Sequence, residues 1–358
     1  MVRSGTGIFC SERVKKGLLL IVLMAVTKKT LSKHPEAGKL SYRDEDFRWA
    51  TPEIVAEYRA QRLKCGIIAD LGCGIGFQAL AFAKTCKKVY AVEIDKDKIE
   101  SAKKNAEILG ISNIEFITGD ALSGKVLERL KDAEIVFCDP ERLPEESKRS
   151  VETIRPDIHE LLKKYSAVTE NIAIEFPPQM AEIPFDCEKE YLSVDGQLNR
   201  LTLYFNGLQK CGRSAVILPG KDKLCSAEEA ALEETEKLGE YLHEADPAVV
   251  KAGLSAELSQ KTKTALYFSG KAVFFTGDGK INSPFFKNSF KVVDSCRQDE
   301  HEIIAALKKH KAGKVILRFT IEPKEYWNVR GRIEAKLTGS KTYALLYLND
   351  RAIVVEKY

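Results

Sequence analysis

The run Asp70-Leu71-Gly72-Cys73-Gly74-Ile75-Gly76 places a carboxylate ahead of three alternating glycines. Glycines so spaced let the backbone pass beneath a ligand with no side chain in the way, and amides at the start of a following helix can face a nucleotide. Nicotinamide and flavin enzymes use similar loops, so the glycines alone leave the cofactor open. Three further acids narrow the choice. Glu93, followed by Ile94, lies 17 residues after Gly76, where a carboxylate can accept hydrogen bonds from both hydroxyls of a ribose. Asp120 stands in Gly119-Asp120-Ala121, placed to touch an adenine amino group, and Asp139 begins Asp139-Pro140-Glu141-Arg142. Each acid alone can be a cap or turn residue. Each also ends an expected strand, which makes the four a joint signal.

Holding them together requires a strand–helix alternation. Short apolar strands are expected over 67–71, 88–93, 114–118 and 134–139, with helices over 77–85, 96–109 and 125–130. This alternation predicts a parallel sheet with helices on both faces, ligands binding at the carboxyl ends of its strands. Upstream, Thr51 as N-cap and Pro52 as the first helical residue predict a helix through 63, with Trp49 as its buried hydrophobic anchor. Downstream, a helix over 154–164 and a strand over 171–176 precede strands at 191–194 and 198–205, joined through Asp195-Gly196 as a hairpin. Residues 221–260 read as charged and helical, and 290–358 alternate strand and helix as a small α+β module.

The residues Asp70 to Gly76, Val92-Glu93, Gly119-Asp120-Ala121 and Cys138-Asp139-Pro140 resemble the successive motifs of class I S-adenosylmethionine-dependent methyltransferases. The resemblance implies an α/β, Rossmann-like domain whose seven-stranded sheet ends in an antiparallel hairpin. It also implies that Asp70, Gly72, Cys73, Gly74, Gly76, Glu93 and Ile94 border the methionine and ribose of S-adenosylmethionine, with Asp120 and Ala121 at the adenine and Asp139 beside the methyl group. A nicotinamide enzyme fits less well, because the aspartate ahead of the glycines suits the cofactor's amino group and no hydride-transfer partner is evident.

A narrower resemblance spans most of the chain. The stretch Phe47-Arg48-Trp49-Ala50-Thr51-Pro52 through Tyr58-Arg59-Ala60, the stretch Glu244-Ala245-Asp246-Pro247-Ala248-Val249 and the C-terminal alternation are similar to bacterial and archaeal methyltransferases with a THUMP-like C-terminal domain. That likeness implies an RNA partner, tRNA or rRNA. It divides the chain into an extension (1–44), a methyltransferase domain (45–220), a helical linking region (221–289) and a basic THUMP-like module (290–358).

The choice of acceptor atom depends on the residues just after the fourth strand. Enzymes acting on exocyclic amines of bases commonly place a second proline and an aromatic ring there, to stack on a flipped base. Asp139-Pro140-Glu141-Arg142 has neither and resembles enzymes acting on ring nitrogen or carbon of RNA bases. Asp139 or Glu141 can then accept a proton or hydrogen bond, and Arg142 can meet a carbonyl oxygen or phosphate. Cys138 and Cys73 are expected to be structural, and Glu175 to end the fifth strand at the same edge, lining the pocket. Arg318, Lys324, Arg330 and Arg332, with Tyr326 and Trp327 nearby, are the candidate RNA contacts.

Composition bounds these readings. The chain has 358 residues, 44% of them hydrophobic, enough for two or three domains. Nine cysteines include no Cys-x-x-Cys pair, which argues against a zinc or iron–sulfur site and for free thiols in a cytoplasmic protein, and none of the five histidines suggests a metal site. Residues 1–48 hold 10 basic and 5 acidic residues, 49–289 hold 32 and 38, and 290–358 hold 14 and 9. Basic ends about an acidic middle suit a polyanionic partner. The apolar run over 17–26 follows Lys15 and Lys16 like a signal peptide but is too short to span a bilayer. It is expected to be a buried element, or to precede a true start at Met24. Rival readings are a small-molecule or protein methyltransferase, and a non-catalytic RNA-binding protein with a methyltransferase fold.

Overall fold

The structure is a computed structural model that describes residues 33–142, 151–180 and 182–358. The run at 17–26 lies outside these residues. The described chain forms two compact units, one of 33–175 with 205–208, the other of 176–204 with 209–358.

The first unit begins with α1 (Asp44–Trp49) and α2 (Glu53–Arg62), then alternates β1 (Ile67–Leu71), α3 (Phe77–Ala83), β2 (Lys88–Glu93), α4 (Lys96–Ile108), β3 (Ile114–Thr118), α5 (Gly124–Arg129) and β4 (Ile135–Cys138). A two-stranded ribbon of β5 (Glu141–Arg142) and β6 (Ile154–Arg155), then α6 (Ile158–Tyr165) and β7 (Ile172–Phe176), complete it. The strands lie in the order β3-β2-β1-β4-β7, and all pair in parallel. β1 and β4 are apolar almost throughout and buried on both faces, as a covered parallel sheet requires. Side-chain oxygens start the helices where the sequence turns polar: Asp95 accepts from the Asp97 and Lys98 amides at α4, Ser123 from Val126 at α5 and Asp157 from Glu160 at α6.

Two upstream expectations need correction. Pro52 itself occupies the N-cap of α2 and makes no side-chain cap bond, while Thr51 is buried just before it. The anchor is Phe47, 8% exposed and packed edge-on against Phe77 with ring centroids 5.8 Å apart, whereas Trp49 is 70% exposed. A six-residue helix offers one narrow apolar face, and Phe47 occupies it beside Ala37, Leu40, Ile75, Leu80 and Ala106. Phe47→Ala should therefore cost about 3 kcal/mol in urea unfolding, and Trp49→Ala less than about 0.5 kcal/mol. The same segment is tied down by Asn105, wholly buried, whose amide accepts from Ser41 N (2.7 Å) and donates to the carbonyls of Ser41 (3.1 Å) and Ile75 (3.0 Å).

In the second unit, β8 (Glu188–Val194) and β9 (Gln197–Tyr204) form the expected hairpin. Asp195 (φ 50°) and Gly196 (φ 69°) both take the left-handed conformation that a tight two-residue turn needs. Two more strands extend the hairpin beyond β8: β10 (Arg213–Leu218) pairs parallel with β8, and β11 (Asp222–Cys225) antiparallel with β10.

The remainder is a seven-stranded sheet and four helices: β12 (Tyr241–Ala245), α7 (Pro247–Ala252), α8 (Ser255–Thr262), β13 (Ala265–Ser269), β14 (Val273–Gly277), β15 (Phe286–Arg297), α9 (Glu300–Lys309), β16 (Ala312–Leu317), α10 (Pro323–Glu334), β17 (Lys341–Leu348) and β18 (Arg351–Lys357). The strand order is β13-β14-β12-β15-β18-β17-β16. The expectation of a helical 221–289 is thus overturned. It holds two helices but four strands, and β12 to β14 join the sheet formed by 286–357. Charged residues at 228–240 mimic helical composition, and the short strand Tyr241–Ala245 has too few residues to show its period of two.

Candidate active site

The glycine loop leaves β1 at its carboxyl end. Gly72 (φ 75°) and Gly74 (φ 56°) are left-handed; a Cβ on Gly72 would sit 3.0 Å from the Asp139 carbonyl oxygen, whereas the space beside Gly74 is open. Amides of Gly72 and Cys73 donate to the Val92 carbonyl (2.9 and 3.0 Å), sewing the loop to β2. The Gly74 amide donates to Glu93 Oε2 (2.9 Å) and the Asp95 amide to Glu93 Oε1 (3.0 Å), so this buried carboxylate is aimed by the backbone on both sides of it. Ile94, immediately after, is 70% exposed and offers an apolar surface at the rim.

Asp70 is wholly buried, and neither carboxylate oxygen finds a hydrogen-bond partner among the described residues. Burial first, then the charge of Asp139 and that of Glu93, hold its carboxyl well above the usual range, with the Arg59 guanidinium pulling the other way. A buried acceptor without a donor is costly to a protein. It suits a ligand that brings N–H groups and positive charge.

The neighbouring turns complete the edge. The Gly119 amide donates to the Glu93 carbonyl (2.9 Å), which places Asp120 beside the end of β2; Asp120 Oδ1 accepts from the Leu122 amide (2.9 Å). Two α6 side chains that the sequence did not single out fix this turn: Tyr165 Oη donates to the Ala121 carbonyl and Lys164 Nζ to that of Leu122, both at 2.7 Å. Asp139 follows β4, its amide donating to the Leu71 carbonyl (3.2 Å). Asp70, Gly72, Cys73, Gly74, Gly76, Glu93, Ile94, Asp120, Ala121 and Asp139 therefore gather at one edge of one sheet. Cys138 and Cys73 are buried, and burial pushes both thiols well up, as expected of core cysteines.

Other expectations fare differently. Glu175 is engaged by Arg59, a fully buried arginine from α2 that also donates to Gln78 Oε1 (2.7 Å) and lies 4.6 Å from the centroid of the Phe137 ring. A lone arginine in an amphipathic helix gives no sequence sign of such burial. Glu141 is exposed and paired with Lys98 of α4, while the backbone of Arg142 pairs with Ile154. In the second unit Arg332 is held by Glu300 (2.7 Å), Arg330 by Glu334 (2.9 Å) beside the Trp327 ring, and Arg318 lies 3.5 Å from Glu244. Lys324 is exposed, as is Trp327 at 69%. Among the described residues no cluster of three His, Cys, Asp or Glu could hold a metal, and no helix is long and apolar enough to cross a membrane.

Known proteins resemble this chain over part or most of its length. Residues 65–198 match the family described as "Methyltransferase domain". An uncharacterized S-adenosylmethionine-dependent methyltransferase of Mycobacterium tuberculosis is 23% identical over 344 residues, 90% of this chain and 91% of that one. An uncharacterized RNA methyltransferase of Oceanobacillus iheyensis is 41% identical over 83 residues; the match takes in 22% of this chain but only 18% of that relative's length. A solved structure from Porphyromonas gingivalis W83, described by its name as a candidate methyltransferase, has a TM-score of 0.74 at 15% identity, over 94% of this chain and 89% of that one. The chain carries a methyltransferase domain, and its strands and helices follow the Rossmann-like α/β plan of such domains.

Proposed function

We propose that this chain is an S-adenosylmethionine-dependent methyltransferase acting on a base in structured RNA. The observation that carries the cofactor assignment is Asp70: a buried carboxylate whose two oxygens find no partner among the described residues, beside an open left-handed Gly74 and a backbone-aimed Glu93. S-adenosylmethionine fits these residues, because its ammonium supplies the missing donors and its sulfonium adds positive charge where carboxylates predominate. When bound, it supplies an electrophilic methyl group.

The rest belongs to the chain. Asp70 would hold the amino group, the loop Gly72-Cys73-Gly74 with Gly76 would pass beneath the methionine part, and Glu93 would accept from the ribose hydroxyls. Asp120, Ala121 and Ile94 would border the adenine. The protein's main task is then to bring the acceptor atom in line, and positioning of this kind lowers a barrier by roughly 7–11 kcal/mol. Since Glu141 is tied to Lys98, accepting a proton or hydrogen bond from the base falls to Asp139, with Arg142 meeting a carbonyl oxygen or phosphate.

RNA is favoured by the Asp-Pro-x-Arg ending of this motif, by the name of the Oceanobacillus relative, and by the exposed Trp327 and Lys324 on α10 beside Arg330. On this reading the sheet that includes 290–358 is a THUMP-like RNA module, and the free thiols of the eight described cysteines suit the cytoplasm. Radiolabelled cofactor should label bulk cellular RNA, and nuclease should release the label. Label in protein or small molecules instead would favour the rival substrates. In single-turnover assays Asp139→Ala should slow transfer about 100-fold and Arg142→Ala about 10-fold. Unchanged rates in both would remove the assignment. RNA affinity should fall steeply with salt, as phosphate contacts require.

A further inference from the structure

Away from the cofactor edge, two cysteines stand close together. Cys65 follows α2 and Cys86 follows α3, and their Sγ atoms lie 3.9 Å apart. The backbone holds them there, because the amides of Lys87 and Lys88 both donate to the Gly66 carbonyl, at 2.9 and 3.1 Å. Cys65 is partly exposed and Cys86 buried, with the Thr85 hydroxyl 3.7 Å from the Cys86 sulfur.

We propose that Cys65 and Cys86 are a modification site, a thiol pair that a hydroperoxide converts reversibly to a disulfide. The Cys86 thiolate attacks one peroxide oxygen; the O–O bond breaks, the leaving alkoxide or hydroxide takes up the proton that the Cys86 thiol gave up and departs as an alcohol or water, and Cys86 becomes a sulfenic acid. The Cys65 sulfur then attacks the Cys86 sulfur. An S–S bond forms, the S–O bond breaks, and the departing hydroxide takes the Cys65 proton to leave as water. Two electrons pass from the pair to the peroxide. Closing 3.9 Å to a bond of about 2.0 Å needs a small shift of two side chains that both sit in loops at element ends.

The pair stands apart from the thiols that burial pushes up. The side-chain contact between the two sulfurs draws the Cys86 thiol down to about 6 against the effect of burial, and pushes Cys65 up in return. The thiolate is the reactive form. Cys73 and Cys138 are pushed well up by burial, and burial likewise holds Cys187 at about 11 and Cys211 at about 12. Oxidised, the pair would staple the end of α2, the helix of Arg59, to the end of α3, the helix of Gln78.

The test is to treat the folded protein with hydrogen peroxide in graded amounts, alkylate the remaining thiols and map the peptides by mass spectrometry. The expected result is a cross-linked peptide joining Cys65 to Cys86 at doses that leave Cys187 and Cys211 alkylated, released by dithiothreitol. In Cys65→Ser the sulfenic acid at Cys86 should persist and be captured by dimedone; in Cys86→Ser, Cys65 should stay alkylated. Alkylation of both residues at doses that oxidise Cys187 or Cys211 overturns the proposal, as does Cys86 in Cys65→Ser remaining inert to dimedone.

Discussion

Asp70→Asn should bind S-adenosylhomocysteine about 100-fold more weakly in calorimetry, a loss of about 3 kcal/mol, while the unliganded protein unfolds at the same temperature or higher. The two effects share a cause. Burial and the charges of Asp139 and Glu93 lift the Asp70 carboxyl well above its ordinary value in the folded state. Below about pH 3.9 both folded and unfolded states hold the proton, and the group is neutral to stability. As pH rises, the unfolded chain releases its proton first, so the native state is the more protonated and stability falls. That deficit persists at neutral pH, where the Asn variant escapes it; the stability gap between parent and variant should close as pH falls toward about 4. In the parent, ligand affinity should weaken on acidification starting above the usual carboxylate range. Unchanged affinity in Asp70→Asn would remove the carboxylate from the cofactor site.

Arg59→Met should destabilise the fold by about 3–5 kcal/mol in denaturant unfolding, because it takes from Glu175, a nearly buried carboxylate, the buried guanidinium that engages it. The double variant Arg59→Met with Glu175→Gln should recover most of that loss, since replacing both partners removes the buried carboxylate charge along with its guanidinium. Arg59 also opposes the upward shift of Asp70, so the acid limb of ligand binding should move to higher pH in the double variant. An isolated fall in stability with an unmoved pH profile would confine Arg59 to a packing role.

The candidate site's main parts are legible in the sequence because each is a local signal. A glycine spacing, an acid at the end of an apolar run and the alternation of strand and helix depend on few neighbours, and Asp70, Glu93, Asp120 and Asp139 gather as their spacing implies. The Asp195-Gly196 hairpin is legible for the same reason, since a two-residue turn demands positive φ from its own residues. Composition misleads where charge conceals strand, and β12 to β14 carry the composition of a helical linker. Size misleads at the first helix, where Trp49 is the larger ring but helix phase buries Phe47.

By itself, then, the sequence determined the strand–helix plan, the glycine loop and the four acids, because periodicity and turn chemistry act over a few residues. Tertiary structure alone decided that Arg59 reaches Glu175 across 116 positions, that Asn105 secures Ser41 from 64 positions away and that Glu300 ties down Arg332. It alone left both oxygens of Asp70 without a donor among the described residues. A side chain's partners and its access to water are fixed by elements distant in sequence, and no pattern within one element records them.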